Sequence, residues 1–203
     1  MMDAEQALKK LKNGNDRFVK AIEGGAALTT SVTLEDAKKG QTPFAIILGC
    51  SDSRVPLELV FHRGLGELFV IRVAGNVVAP SQIGSIEFAC QQFGTELVIV
   101  LGHTHCGAVS ATVNALIDHP DEISPNIASI VDRVTPAVLP VVNADQGSDK
   151  ELLLHKAMKA NVQHSVNSLT SRSTIIRSLI KKGKLKVVGA EYALETGKVA
   201  FYE

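Results

Sequence analysis

The sequence predicts an α/β fold: a central, mainly parallel β-sheet flanked by helices, with an N-terminal helical arm. Short runs rich in Val, Ile and Leu, bounded by Gly or polar residues, are typical of strands buried on both faces of a parallel sheet. Segments with apolar residues at helical spacing alternate with these runs. The length of 203 residues fits one domain, 1–203, with a substantial core.

The first predicted element is an amphipathic helix. Residues 3–22 place apolar side chains on one broad stripe opposite Lys, Asn and Asp, so this helix needs an apolar surface to rest on. We assign residues 1–25 to this helical arm. Four buried strands are then predicted at 44–50, 68–75, 96–103 and 185–192.

A helix is predicted between the second and third strands. In "SQIGSIEFACQQFG", Ser81 is placed as the N-cap and Gly94 as the stop. Cys90 lies within the apolar face of this helix, where we expect a structural role. A strand, a helix and a parallel strand in this order imply a right-handed crossover.

The C-terminal part, 150–203, is predicted to hold helices, the last core strand and a tail. Two helices are expected, one over 150–170 and one in "STIIRSLIKKG". A turn at Thr196 and Gly197 leads into a short extended tail. The proline-bearing stretch from His119 to Pro140 is expected to be a loop-rich insertion, and residues 41–118 form the core that carries the candidate site.

Composition narrows the classes of function. The 21 Lys and Arg residues balance 21 Asp and Glu residues, so no global field favours nucleic acid or an anionic membrane as a partner. Neither a signal-like apolar segment nor a membrane-spanning run is apparent, so we expect a cytoplasmic protein. An odd count of three cysteines argues against a disulfide framework and leaves metal binding or buried thiols.

Potential metal ligands stand at the ends of two predicted strands. Ligands of open parallel sheets bind beyond the carboxyl ends of the strands. The first strand ends at Cys50 and the third leads into His103 and Cys106, so these three side chains are expected to meet on one rim. Two thiolates and one imidazole with an open fourth position are typical of a catalytic zinc site.

Asp52 follows Cys50 by two residues and is the candidate proton acceptor of this site. Arg54 can hold its carboxylate in a two-pronged, charge-assisted pair and so keep it ionised. Alternatively, Asp52 leaves Arg54 and occupies the fourth metal position itself, which gives a closed, resting site.

Four motifs lie around the candidate ligands: "CSDSR" and "GHTHCGAV", with "GELFVIRVAGN" and "GSIEFA" between them. In these motifs, their order and their separation, the chain resembles a β-class carbonic anhydrase, and the likeness covers essentially the whole chain. The resemblance implies Zn²⁺ bound by Cys50, His103 and Cys106, a dyad of Asp52 and Arg54, and a substrate contact from the Gly107 amide.

The same resemblance implies the reaction and the assembly. A carbonic anhydrase is a lyase that reversibly hydrates CO2 to bicarbonate, here by a zinc-bound hydroxide. The family forms obligate homodimers, often paired into tetramers, with the N-terminal arm packed on a neighbouring subunit. In some members a Trp stands where this chain has Ile47 and supports the closed state, so we expect the open form here.

Three positions depart from the family pattern. His62 and Arg63 stand where Asp and Gln are usual, and that Gln donates an amide hydrogen bond to substrate across the dimer interface. Arg63 brings a permanent positive charge instead. Phe88 stands where many relatives have Tyr. These residues motivate one alternative, a carbonic anhydrase-related zinc protein with weak or no CO2 hydration, and a second alternative is a carbonyl sulfide or carbon disulfide hydrolase.

Overall fold

The computed structural model describes residues 2–28, 35, 38–118, 124–147 and 149–202. Its strands form one five-stranded sheet in the order β2-β1-β3-β4-β5. All neighbouring strands are parallel except the pair of β4 and β5. The strands are β1 Ala45–Gly49, β2 Leu68–Arg72, β3 Leu97–His103, β4 Lys186–Tyr192 and β5 Val199–Tyr202.

Helices cover both faces of this sheet. The predicted α/β architecture is therefore confirmed, and the tail after Gly197 is a fifth strand. The helices are α1 Ala4–Glu23, α2 Leu57–Val60, α3 Pro80–Phe93, α4 Gly107–Asp118, α5 Pro125–Asn143, α6 Lys150–Arg172 and α7 Thr174–Lys181, with a 3₁₀ turn at Ala74–Asn76. No helix in these ranges combines the length and the apolar character needed to cross a membrane.

Helix α1 packs on the sheet of its own chain. Its buried residues, Leu8, Leu11 and Phe18 among them, join one apolar cluster with Ile47 and Ile99 of the sheet. Asn15 fixes the helix, because its amide donates to the carbonyls of Val60 at 3.1 Å and Gly197 at 2.9 Å. Within this chain an apolar face of the sheet covers the stripe, and packing of the arm on a neighbouring subunit stays a prediction.

The start of α3 differs from the prediction. The helix begins at Pro80 with Ala79 as its N-cap, and Ser81 lies within the first turn. Proline suits this first position, because its fixed φ is helical and its missing N–H has no intrahelical acceptor there. The stop is confirmed, since Gly94 adopts a left-handed φ of 65° and its N–H donates to the carbonyl of Cys90.

The predicted loop-rich insertion is wrong where the structure describes it. Residues 125–143 form α5 with Pro136 and Pro140 inside it, while 119–123 lie outside the described residues. The two prolines stand four residues apart on the exposed side, so the carbonyls that they free can bond water. Val134 and Val138 pack into the main core, and this packing outweighs the cost of the prolines.

Candidate metal centre

Cys50, His103 and Cys106 come together at one edge of the sheet. Cys50 follows β1 directly, His103 is the last residue of β3, and Cys106 immediately precedes α4. Because β1 and β3 are parallel, with Gly49 opposite Leu101, the two strand ends lie side by side. All three side chains are buried, and their ligand atoms lie within 4.8 Å of one another. The structure therefore assembles the three groups that the sequence predicts as ligands.

The ring of His103 is prepared for a metal. Its Nδ1 lies 2.8 Å from the carbonyl of Thr104, which can only accept, so Nδ1 carries the proton. Its Nε2 is buried and has no hydrogen-bond partner in the described part of the chain. A buried polar atom without a partner is costly. A cation between this nitrogen and the two thiols would satisfy it, so the donor set fits a metal ion such as zinc.

The two thiols interact directly with each other. A hydrogen bond from Cys106 is the largest of the effects that lower the pKa of Cys50, and contacts with His103 and the amide of Gly75 act in the same direction. The same contact raises the pKa of Cys106, with burial adding to it. Two buried thiols this close to each other and to an imidazole nitrogen form a donor set that fits a single cation.

Asp52 is paired with Arg54 through two prongs. Arg54 Nε lies 3.0 Å from Oδ1 and Nη2 lies 2.8 Å from Oδ2, and the Arg54 amide also donates to Oδ1. These contacts hold the pKa of the carboxyl well below its usual range. Asp52 Oδ2 lies 3.9 Å from His103 Nε2. An ionised carboxylate therefore stands next to the ligand set, with Arg54 fixing its orientation.

Arg72 braces the backbone beneath this pair, a contact that sequence reasoning missed. Its Nε donates to the carbonyl of Cys50 at 3.1 Å and its Nη2 to that of Asp52 at 2.6 Å. The available signal was an Arg at the end of the apolar run that forms β2, opposite Gly49 and beside the segment of Cys50 and Asp52. Arg72 thus stiffens the segment that carries both Cys50 and Asp52.

A second missed feature is the turn at Gly75 and Asn76. The Gly75 amide donates to Cys50 Sγ at 3.4 Å, and both residues have positive φ, 67° and 44°. Two side chains of α6 hold this turn: Asn161 Nδ2 donates to the Gly75 carbonyl at 2.8 Å, and Ser165 Oγ donates to that of Asn76 at 3.1 Å. Helix α6 therefore supports a donor to the first thiol.

Gly107 and Phe88 occupy different surroundings. Gly107 is the first residue of α4, directly after Cys106, and a Cβ at this position would meet no atom within 4 Å. Its amide thus lies at the helix start beside the ligand set. Phe88 is half exposed on α3, where its ring contacts those of Phe69 and Phe93.

Arg63 is turned towards α1. Its Nε donates to the carbonyl of Phe61 at 2.9 Å and its Nη2 to that of Lys10 at 3.2 Å, while Glu67 Oε1 lies 3.9 Å from Nη1. His62 beside it has a left-handed φ of 47°. Within the chain, the guanidinium therefore bonds to the arm and the end of α2, whereas the hydrogen bonds to Asp52 come from Arg54.

His105 and Cys90 lie outside the ligand set. His105 lies next to Cys106 in sequence, but its Nε2 contacts Glu195 Oε1 at 2.5 Å, away from the ligand set. Cys90 is buried in α3, and this burial raises the pKa of its thiol to about 11. A thiol held neutral in an apolar helix face is consistent with a structural role.

Comparison with known proteins gives a consistent result. A family model described as carbonic anhydrase matches residues 45–199. A carbonic anhydrase of Mycolicibacterium smegmatis is 38% identical over 201 residues, which cover 95% of this chain and 90% of that protein. The structure of the β-carbonic anhydrase CcaA superposes with a TM-score of 0.72 at 28% identity, over 83% of this chain and 84% of that chain.

A β-carbonic anhydrase of Coccomyxa, solved in complex with acetazolamide, is a further structural relative. It superposes with a TM-score of 0.70 at 25% identity, over 93% of this chain and 82% of that chain. The residues that the family model matches, 45–199, include all three positions of the ligand set. The chain belongs to the β-class carbonic anhydrase family.

Proposed function

We propose that the protein is a zinc-dependent carbonic anhydrase that interconverts CO2 and bicarbonate. One observation supports this proposal above the others: the buried cluster of Cys50, His103 and Cys106, with an unpartnered imidazole nitrogen, lies beside an ionised carboxylate. The family to which the chain belongs supports the same reaction. Zn²⁺ held by these three residues would act as a Lewis acid and make water nucleophilic near neutral pH.

Asp52 is the proposed proton acceptor. Its Oδ2 is 3.9 Å from His103 Nε2, so the carboxylate lies close enough to the ligand set to accept a proton from water there. Arg54 occupies one side of both oxygens and keeps the carboxylate in place. We assign the Gly107 amide to an oxygen of the substrate, because it is an N–H at a helix start, where anions bind.

The test combines zinc content with stopped-flow CO2 hydration. The native chain should carry about one zinc and hydrate CO2, because three donors converge on one site. Cys106→Ser should lose zinc and activity together. Asp52→Asn should keep zinc and lose about 10²-fold or more in rate, since its amide cannot accept the proton. A native chain that stays free of zinc in metal-replete medium contradicts the proposal.

The second candidate is a carbonic anhydrase-related protein with weak hydration. The presence of Arg63 and His62 in place of the usual residues favours it, together with Phe88 in place of Tyr. The double variant His62→Asp, Arg63→Gln should then hydrate CO2 faster than the native chain. If the native rate already exceeds that of the double variant, this candidate fails. Carbonyl sulfide and carbon disulfide, run in the same assay, test the hydrolase alternative.

We further propose a homodimer in the cytoplasm, with tetramers formed by pairing of dimers. Strand β2 is an edge strand, and the exposed side chains near it include Leu65 at 58% and Phe88 at 53%. An open edge flanked by apolar side chains is typical of a protein interface. Three free cysteines favour a reducing compartment. Light scattering after size exclusion tests the assembly, and a purely monomeric mass contradicts it.

A further inference from the structure

A basic groove lies along α1, and none of the residues that line it belongs to the metal centre of the same chain. This α1 groove has a volume of about 400 Å³ and is lined by Gln6, Lys9, Lys10, Asn13, Arg17 and Arg63. The five α1 residues recur at helical spacing along one side of the helix, and Arg63 approaches from the segment after α2. Among the described residues, the lining therefore consists of four cationic side chains and two amides, without a carboxylate.

Arg63 is a buried charge with incomplete compensation. Its side chain is only 9% exposed, and the carboxylate of Glu67 is 3.9 Å from Nη1, beyond hydrogen-bond distance. Glu67 is also shared, because it lies 2.8 Å from Lys10 Nζ and accepts from the Gly64 amide. A buried cation is costly unless it is paired and hydrogen-bonded. Arg63 thus leaves donor capacity that faces the groove.

Arg17 adds a further positive charge close to Arg63. Burial is the main effect that lowers the pKa of Arg63, and the positive charge of Arg17 lowers it further. An anion placed between these two guanidinium groups would be attracted by both positive charges. In a chain whose charges balance overall, the groove is a local concentration of positive charge.

We propose that the α1 groove binds a phosphate-class oxyanion, with Arg63 at its base and Lys9 and Arg17 at its rim. Guanidinium groups match the oxygens of phosphate in a bidentate geometry, and the amides of Gln6 and Asn13 add donors. A dianion neutralises more of the positive charge in the groove than a monoanion does. The groove volume falls in the range of about 300 to 1,000 Å³ typical of small-molecule sites, so the phosphate can carry an organic group.

Phosphate titration of the zinc-loaded protein tests this proposal. Calorimetry and thermal unfolding are followed with inorganic phosphate at constant ionic strength. The native chain should bind saturably and unfold at a higher temperature, whereas chloride at matched ionic strength should have no such effect. Arg17→Gln and Arg63→Gln should each weaken binding about tenfold or more, since each removes a charge-assisted donor.

Lys20→Gln is the matched control. It removes one positive charge from the same helix, but Lys20 lies in the last turn and does not line the groove. If Lys20→Gln weakens phosphate as much as Arg17→Gln does, binding is non-specific screening and the proposal is wrong. It is also wrong if the Arg17 and Arg63 variants change the oligomeric mass and leave phosphate affinity unaltered, because the groove is then a subunit interface.

A second titration distinguishes inorganic phosphate from a phosphate group attached to an organic molecule. Glycerol phosphate is titrated beside inorganic phosphate, and tighter binding of either one supports the proposal and identifies the source. Zinc content and CO2 hydration are measured on the same samples. A loss of phosphate binding in Arg17→Gln with normal zinc content therefore separates the groove from the metal centre.

Discussion

Arg54 is a single residue that fixes the orientation of the carboxylate beside the ligand set. Its guanidinium meets both oxygens of Asp52, and its Nη2 also donates to the carbonyl of His105 at 3.2 Å. A planar fork fixes both the position and the rotation of a carboxylate, whereas a point charge fixes neither. Arg54 is therefore more than a counter-ion for Asp52.

Arg54→Lys should keep the positive charge and lose the two-pronged contact with the Asp52 carboxylate. We expect normal zinc content and a fall in the rate of CO2 hydration of about 10²-fold, because a displacement of the proton acceptor near 1 Å has such an effect. Stopped-flow assays on zinc-quantified samples measure it. A rate equal to that of the native chain would mean that charge alone suffices.

Cys90 provides a prediction about pH. Burial, with a smaller effect of Glu87, raises the pKa of its thiol from 9.0 to about 11. The unfolded chain releases this proton near the lower value and the folded chain only near the higher one, so stability falls as pH rises through this window. Urea unfolding at about pH 8 and about pH 10.5 should show a larger loss for the native chain than for Cys90→Ala, by about 2 kcal/mol. Equal losses in the two proteins would show that Cys90 ionises as freely when folded as when unfolded.

Among the elements, α6 has the most extensive role at the metal centre. It holds the turn at Gly75 through Asn161 and Ser165, and it packs so closely on β3 that a Cβ at Gly102 would lie 2.4 Å from Val162. The helix thus positions both the end of β3, where His103 stands, and the turn that donates to Cys50. These are contacts between residues far apart in sequence.

Asn161→Ala should weaken zinc binding. The Gly75 turn loses its anchor, and loss of a residue that supports a metal ligand typically reduces affinity about 10- to 100-fold. Competition with a chromophoric chelator measures the dissociation constant. Asn167→Ala is the control, since Asn167 is an exposed residue of the same helix. If both variants bind zinc equally, the turn holds its position without α6.

Features that depend on local sequence could be predicted, whereas features that depend on contacts between distant residues could not. Four strands and the ligand positions at their ends could be read from the sequence, because burial patterns and strand ends are local. Helix α5 was missed, since its two prolines argue locally against a helix and only its packing on the core overrides them. Arg72 and Asn161 were missed because their acceptors lie 20 or more residues away.

For the whole molecule, the metal is expected to contribute to stability as well as to chemistry. Two buried thiols and an unpartnered imidazole nitrogen meet where two strands of the main sheet end. Removal of zinc by a chelator should lower the thermal midpoint, and at free zinc a thousandfold above its dissociation constant the native chain gains about 4 kcal/mol. Calorimetric scans of stripped and reloaded protein measure this. An unchanged midpoint would mean that zinc does not bind to the folded chain.

The distribution of charge over the folded molecule could not be deduced from the amino-acid composition. The equal totals of acidic and basic residues argued against nucleic acid and anionic membranes as partners, and they gave no sign that folding places Arg63 beside the lysines and Arg17 of α1. The cluster could not be predicted, because Arg63 lies far from the α1 residues in sequence. Net charge describes the field far from a protein, whereas a groove responds to the charges that line it.

Asn15 joins distant parts of the chain, and this has a consequence for biosynthesis. Its side chain donates to the carbonyl of Gly197 and accepts from the amide of Val199, 184 positions further on. Both partners are made long after the N-terminal helix itself. The helix therefore cannot complete its contacts until residues 197–199 have left the ribosome, so its final docking is a late step in the folding of this domain.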